Sequence, residues 1–215
     1  SADNDQVAVS SAHQPGAFVV VGLGDTTVTA QGQEHAPGQP AVFHGISGNV
    51  VARLGAGDDL VRMDQAAFPK NVVVQAGPGN DAILVSRSVA AGSMVLRGGL
   101  GGDHVAVDGV AAGRAVIVDA GHGPGDDHIA IAETRSRHAR ISTGAGNDAV
   151  AITDSVFADL GARLGAGNDR LALAGNQIPS HAALAGGPGE DLLALGRNRI
   201  ARLRASGFEG VVHSV

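Results

Sequence analysis

Aspartate recurs in this chain at a step that could concentrate negative charge. Asp59, Asp81, Asp103, Asp127, Asp148, Asp169 and Asp191 each close a Gly-x-Gly-x-Asp group, and their successive spacings are 22, 22, 24, 21, 21 and 22 residues. Residues at equal positions of a repeat stack over one another, about 4.8 Å apart if the stacking follows strand pairing. Neighbouring carboxylates would then repel by about 1 kcal/mol at the permittivity of water, and by roughly 3–4 kcal/mol at an effective permittivity of about 20. An Asn would make the same turn without that cost, yet the last position is Asp seven times, while the one before it varies (Asp58, Asn80, Gly102, Asp126, Asn147, Asn168, Glu190). A cation between the rungs would relieve the repulsion, and hard oxygen ligands favour calcium. The alternative is a purely structural corner, since Gly adopts positive φ and Asn or Asp tolerates turns.

Other residues that could do chemistry are fewer. His104 and His128 each follow a corner Asp, one period apart, and His122 lies close by in the swollen corner AGHGPGDD (120–127). Three histidines could gather a transition metal, or each could occupy an exposed strand position. Arg53, Gln75, Arg97, Asp119, Ser142 and Arg163 form a second repeating column, six to eight residues before the anchors. That column could bind an acidic polysaccharide, or Arg97 and Asp119 could form a surface ion pair of little worth. No Ser/His/Asp order or separate carboxylate pair stands out, so no catalytic or organic-cofactor residues are assigned.

The elements that must position these residues follow from the alternation after each anchor. Val105/Val107, Ile129/Ile131, Val150/Ile152 and Leu171/Leu173 fall at every second residue, which describes a strand with one buried face. Second strands precede the loops, as in NVVVQA (71–76), SMVLRG (93–98) and HARIST (138–143). A third apolar point recurs at Phe68, Val89, Val110, Val156, Ile178 and Ile200. With no long 3.6-residue periodicity to supply crossover helices, the strands must stack coil upon coil. The sequence therefore predicts an all-β fold, a right-handed parallel β-helix (β-solenoid) of about eight or nine coils of ~22 residues. Residues 1–17 read as an N-terminal cap or leader, and 18–215 as one β-helix domain. Within it, Gly22–Thr26 resembles a degenerate first corner, 31–40 an inserted loop, and 202–215 the terminal coil.

The residues Gly98-Gly99-Leu100-Gly101-Gly102-Asp103-His104-Val105-Ala106 and Gly186-Gly187-Pro188-Gly189-Glu190-Asp191-Leu192-Leu193-Ala194 match G-G-x-G-x-D-x-U-x. This resembles the calcium-binding nonapeptide of repeats-in-toxin (RTX) proteins. The other corners lose only the first glycine, and the resemblance spans roughly residues 50–195. It implies secreted modules whose stacked turns bind calcium through loop carbonyls and the Asp side chains, here Asp59, Asp81, Asp103, Asp127, Asp148, Asp169 and Asp191. The chain departs from that family in carrying one motif per ~22 residues rather than two per coil, which allows one row of ions instead of two.

Composition bounds the rest. A formal charge of −6 gives no reason to expect nucleic acid. No apolar run reaches the roughly 20 residues of a membrane helix. With no Cys, Trp or Tyr and only five Phe, disulfides and thiolate metal sites are excluded, and the core must be built from small aliphatic layers. The expectation is a secreted or cell-surface, calcium-stabilised repeat protein with a structural or adhesive role, its signal lying outside this chain. Its expected partners are calcium ions, with extracellular polysaccharide or self-association through coil ends as further possibilities. The alternative function is a polysaccharide-binding or polysaccharide-modifying (lyase- or epimerase-like) β-helix.

Overall fold

The computed structural model describes residues 3–11, 17–23, 28–30 and 33–214. The chain is a β-solenoid of stacked coils with no helix among those residues. One side carries the strands that follow the Asp corners, from Leu60–Asp64 through Ala82–Ser86, His104–Asp108, His128–Ala132, Ala149–Thr153, Arg170–Ala174 and Leu192–Gly196 to Gly210–Ser214. Each pairs in parallel with its copy one coil away, with no slip of register. A second side runs from Val50–Arg53 through Val72–Pro78, Met94–Leu100 and Ala115–Gly121. It continues into two eleven-residue strands, Arg135–Ala145 and Val156–Ala166, and then His181–Ala185 and Leu203–Ser206. A short third side holds Ala67–Phe68, Val89–Ala90, Ala111–Ala112, Gln177–Ile178 and Arg199–Ile200.

Alternation puts the same position of each coil into one internal column. Met63, Val85, Val107, Ile131, Ile152 and Leu173 are register partners in sequence, and all are at most 2% exposed. The core is thus a set of aliphatic stacks, each layer small enough to repeat without a large ring.

The third side corrects the sequence reading by one residue. Its strand registers join Phe68, Ala90 and Ala112, then Phe157, Ile178 and Ile200. Ala90 is buried, whereas Val89 is 50% exposed; Phe157 is fully buried, whereas Val156 is only partly so. A one-residue shift exchanges the faces of a strand, and Ala beside Phe offers the small-with-large fit that aliphatic spacing alone could not reveal. Val110 is buried for another reason: it lies in the adjoining corner, in a column with Ser88, Thr134, Ser155, Asn176 and Asn198.

That second corner has its own rules. Gln65, Arg87, Glu133, Asp154 and Arg197 all hold φ between 45° and 51°, and Gly109 and Gly175 occupy the same place at φ 60° and 69°. The next residue of each coil turns inward, and where it is polar it bonds along the stack: Ser155 Oγ accepts the Thr134 N–H, Asn176 Oδ1 accepts the Ser155 N–H, and Asn198 Oδ1 accepts the Asn176 N–H, at 3.0–3.1 Å. The amide nitrogens of Asn176 and Asn198 donate to the Ile152 and Leu173 carbonyls at 2.7 Å. Every polar atom of those two side chains that faces the interior is satisfied.

Within the N-terminal segment 1–17, read as a cap, the described strand joins the stack. Gln6–Ser11 pairs in parallel with Leu60–Asp64, so Asn4-Asp5-Gln6-Val7 stands where Asn147-Asp148-Ala149-Val150 stands in a later coil. Closure comes next, from antiparallel strands: Phe18–Gly22 pairs with Gln6–Ser11, and Pro40–Phe43 with Phe18–Gly22. Phe18 stacks on Phe68 at a centroid distance of 5.1 Å, covering the end of the core. Gly22 therefore ends an antiparallel strand rather than opening a coil corner; 24–27, the rest of that proposed corner, lie outside the described residues. The anticipated inserted loop, 31–40, contains Gln33–His35, which pairs antiparallel with Val28–Ala30. At the other end, Leu203 and Val211 continue inward columns but are 41% and 50% exposed, because no further coil covers them.

Phe157 is the largest fully buried side chain among the described residues, so truncating it would leave a cavity in the core. Phe157→Ala should cost about 3–5 kcal/mol, read as a shift in the midpoint of chemical denaturation with an unchanged slope.

Candidate functional site: the aspartate corner

Gly-x-Gly-x-Asp turns the chain between the second and first sides. Both motif glycines adopt positive φ at every corner but the swollen one, 119° at Gly165 and 140° at Gly167, for example. A Cβ at either would collide with the carbonyl of the corresponding glycine one coil earlier, Gly144 or Gly146. The glycines are thus required twice, by backbone angle and by the close stacking of one corner on the next.

The aspartates do not form an exposed column. All seven are 1–3% exposed, turned inward beneath the corner. Each carboxylate accepts a hydrogen bond from the backbone N–H of the Asp one coil earlier. Asp59 N–H donates to Asp81 Oδ1, Asp81 to Asp103, Asp103 to Asp127, Asp127 to Asp148, Asp148 to Asp169 and Asp169 to Asp191, all at 2.7–2.8 Å. The row runs past both ends of the glycine motif. Asp5 N–H donates to Asp59 Oδ1 at 2.6 Å, and Asp191 N–H to Glu209 Oε2 at 2.7 Å. Neither end was read from the glycine spacing. At the start, the Asn-Asp-x-Val-x-Val of residues 4–9 was the available signal; Glu209 had none, because its coil lacks the glycines and its longer side chain reaches from a different place.

The varying residue before each Asp forms a second ladder of opposite polarity. Asn80 N–H donates back to Asp58 Oδ1, Gly102 to Asn80, Asn147 to Asp126, Asn168 to Asn147 and Glu190 to Asn168, at 2.6–3.0 Å. Its tolerance for Asn or Asp has a cause: either one offers an acceptor, and the exposed side needs no fixed charge. Gly102 has no side chain, and the ladder skips a rung there.

One oxygen remains at most of the inner rungs. Oδ2 of Asp59, Asp81, Asp103, Asp148, Asp169 and Asp191 is buried without a hydrogen-bond partner. Burial pushes the Asp81 carboxyl up to about 7 and those of Asp103 and Asp127 to about 6, with neighbouring carboxylates adding to the rise and the backbone N–H bonds opposing it. Asp59 and Asp169 are raised for the same leading reason. An ionised, half-satisfied carboxylate in the interior is costly, so Oδ2 calls for a proton or a cation.

The two complete nonapeptides differ from the other corners. At Gly98 a Cβ would collide with Asp103 Oδ2 and with the carbonyl oxygen of Ala120, one coil on. At Gly186 it would collide with Asp191 Oδ2 and with the carbonyl of Gly207. A carboxylate oxygen of one rung and a carbonyl of the next thus converge on a space that glycine leaves open. Ala76, Ala120, Thr143 and Leu164 put a buried side chain at that position in other corners. This donor set, hard oxygens with no nitrogen or sulfur, fits calcium. Among the described residues no three His, Cys, Asp or Glu side chains gather as a metal cluster; a corner ion would be held by carboxylate and backbone oxygens together.

The remaining candidates separate. His104 and His128 are adjacent register partners on the first side, both exposed. His122 is also exposed and lies apart from them, its Nδ1 2.5 Å from the Gly121 carbonyl and 3.9 Å from Asp119 Oδ1. The column Arg53–Gln75–Arg97–Asp119–Ser142–Arg163 is in continuous register on the second side. Arg53 Nε donates to Gln75 Oε1 at 2.8 Å. Arg97 and Asp119 form no ion pair among the described residues; the Arg–carboxylate pair that does form is Arg87 with Asp64, at 2.6 Å and largely solvent-exposed, worth little in stability.

Asp148→Ala would leave the buried Asp127 N–H without an acceptor. It should cost about 1–3 kcal/mol in chelator, measured by denaturant titration. Compared with known proteins, the chain matches no family model, no curated protein and no solved structure.

Proposed function

We propose that this β-solenoid is a calcium-stabilised structural or adhesive scaffold that works outside the cell. The observation that carries the reading is the row of buried Oδ2 atoms lacking partners, opening at Asp103 and Asp191 onto a glycine cradle shared with the next coil's carbonyl. When bound, calcium would supply positive charge between carboxylates that otherwise repel or protonate. The protein residues that would hold it are the corner aspartates, with Asp103 and Asp191 the best provided. A site with few charged ligands binds weakly, in the range of about 10⁻⁴–10⁻³ M found in extracellular modules, which supports loading outside cells rather than in a calcium-poor cytoplasm. The regular, rigid sides of the stack suit display and adhesion.

A proton competes for the same oxygen. The raised Asp81, Asp103 and Asp127 carboxyls favour the fold most fully below their unfolded value of 3.8, and this contribution is lost as the pH rises through about 6–7. In chelator, stability should therefore fall between pH 5 and pH 8. In calcium the fall should shrink, because the ion binds the ionised form and releases protons on binding. Thermal melts across that range, with and without chelator, measure both. A melt indifferent to calcium at pH 8, with no heat of binding in calorimetry, would reject the calcium reading.

Asn distinguishes the two occupants. The satisfied Asn176 and Asn198 show that an amide can serve a corner of this solenoid, its oxygen accepting one N–H and its nitrogen donating to a carbonyl. The double variant Asp103→Asn/Asp191→Asn should melt at or above the wild type in chelator and lose most of the calcium response. Retention of the full response would place any bound calcium elsewhere.

A further inference from the structure

The second side of the solenoid carries a concave face, enclosing about 820 Å³, that is independent of the corner row. Strand register brings Arg140, Gly161, Ala183 and Arg204 into one outward column. The neighbouring column runs Ser142, Arg163, Ala185 and Ser206. Arg140 and Arg204 are three rungs apart, on the order of 14 Å, and the residues between them are Gly and Ala. Arg163 stands beside that small-residue floor. These three guanidinium groups are exposed and have no ion pair among the described residues. On a chain of net charge −6, these three cations outnumber the two carboxylates of the same face, Asp119 and Asp159.

The rim of the face adds polar groups held in place. Asp159 stands between two histidines of adjacent rungs, with His138 Nδ1 3.0 Å from its Oδ2 and His181 Nδ1 2.7 Å from its Oδ1. The Ser180 hydroxyl and the two imidazoles hold the Asp159 carboxyl below the ordinary carboxylate range, so it stays ionised. Both imidazoles are turned by their Nδ1 atoms toward the carboxylate, which orients the other ring nitrogen away from it.

We propose that this face binds a linear anionic polysaccharide along the solenoid axis, its carboxylate or sulfate groups held by Arg140, Arg163 and Arg204. Guanidinium groups recognise either anion through paired N–H donors. The floor at Gly161, Ala183 and Ala185 lets a sugar chain lie against the strands, while Asp159, Ser142 and Ser206 offer partners for its hydroxyls. The same features disfavour a nucleic acid. No Phe, Tyr or Trp lines the face for bases to stack on, whereas Asp159, Ser142 and Ser206 suit the many hydroxyls of a sugar chain. The inference rests on this face alone and stands or falls separately from calcium at the corners.

The test is calorimetry at low salt with an oligouronate, a sulfated oligosaccharide, a neutral oligosaccharide and single-stranded DNA, the glycans too short to form calcium gels. Binding of one or both anionic glycans is expected, weakened by added salt, without binding of the neutral one; the two anionic arms tell carboxylate from sulfate. The Arg140→Ala/Arg163→Ala/Arg204→Ala variant should lose at least tenfold in affinity, and Arg170→Ala, on the first side, should lose none. Gly161→Phe gives an independent block: its φ lies outside the left-handed region and a Cβ there meets no atom within 4 Å, so the ring should fill the face without disturbing the fold. Its melt should match the wild type while glycan binding falls at least tenfold. No binding of either anionic glycan, binding unchanged in both variants, or binding of DNA in preference to glycan would overturn the proposal.

Discussion

The structure depends on one requirement: where the stack turns a corner, the backbone N–H that points into the interior must find an acceptor in the next coil. Along the flat sides, strand pairing supplies it. At the Asp corner the chain bends away from that ladder, and Oδ1 of the following Asp takes the place of a carbonyl. Each side chain therefore holds the coil before it, and the seven-fold repetition of Asp is a continuous inter-coil seam. The glycines make the seam possible, since any Cβ at Gly165 or Gly167 would strike the coil before it.

Three kinds of residue solve the same problem at different corners. Ser88 and Ser155 use a hydroxyl, Asn176 and Asn198 an amide, and the Asp row a carboxylate. The amide leaves nothing over, because its nitrogen finds a carbonyl. The carboxylate leaves one buried oxygen without a hydrogen-bond partner at six of the seven rungs. An ionised carboxylate left half-satisfied in the interior is costly, so the stability of the seam depends on how that oxygen is neutralised.

Much of this was legible in residue order, for identifiable reasons. The 22-residue spacing of Asp81 and Asp103 and the alternation of Val105 with Val107 are local facts, and they survive in the register as Asp81 beneath Asp103 and Ile83 beside Val105. Local patterns could not show that Val89 faces out while Ala90 faces in, since that depends on where the second corner ends. The Asn4-Asp5 rung has a local echo in Asn-Asp-x-Val-x-Val but no motif glycines, and its partner, Asp59, is 54 residues away. Gly22 imitates a motif glycine, but it ends a strand whose antiparallel partner lies earlier in the chain.

Sequence by itself determined the solenoid, its period and the column in which each aspartate stands, because a repeat written in residues becomes a repeat in space once like strands pair. Tertiary structure alone decided that the carboxylates turn inward, that one oxygen of each is spent on a neighbour's N–H, and that Arg140, Arg163 and Arg204 surround a floor of glycine and alanine. The physical reason is that spacing specifies which residues are stacked, whereas the direction of a side chain and the partner it meets are set by the backbone of the adjacent coil, which is remote in sequence and only 4.8 Å or so away in space.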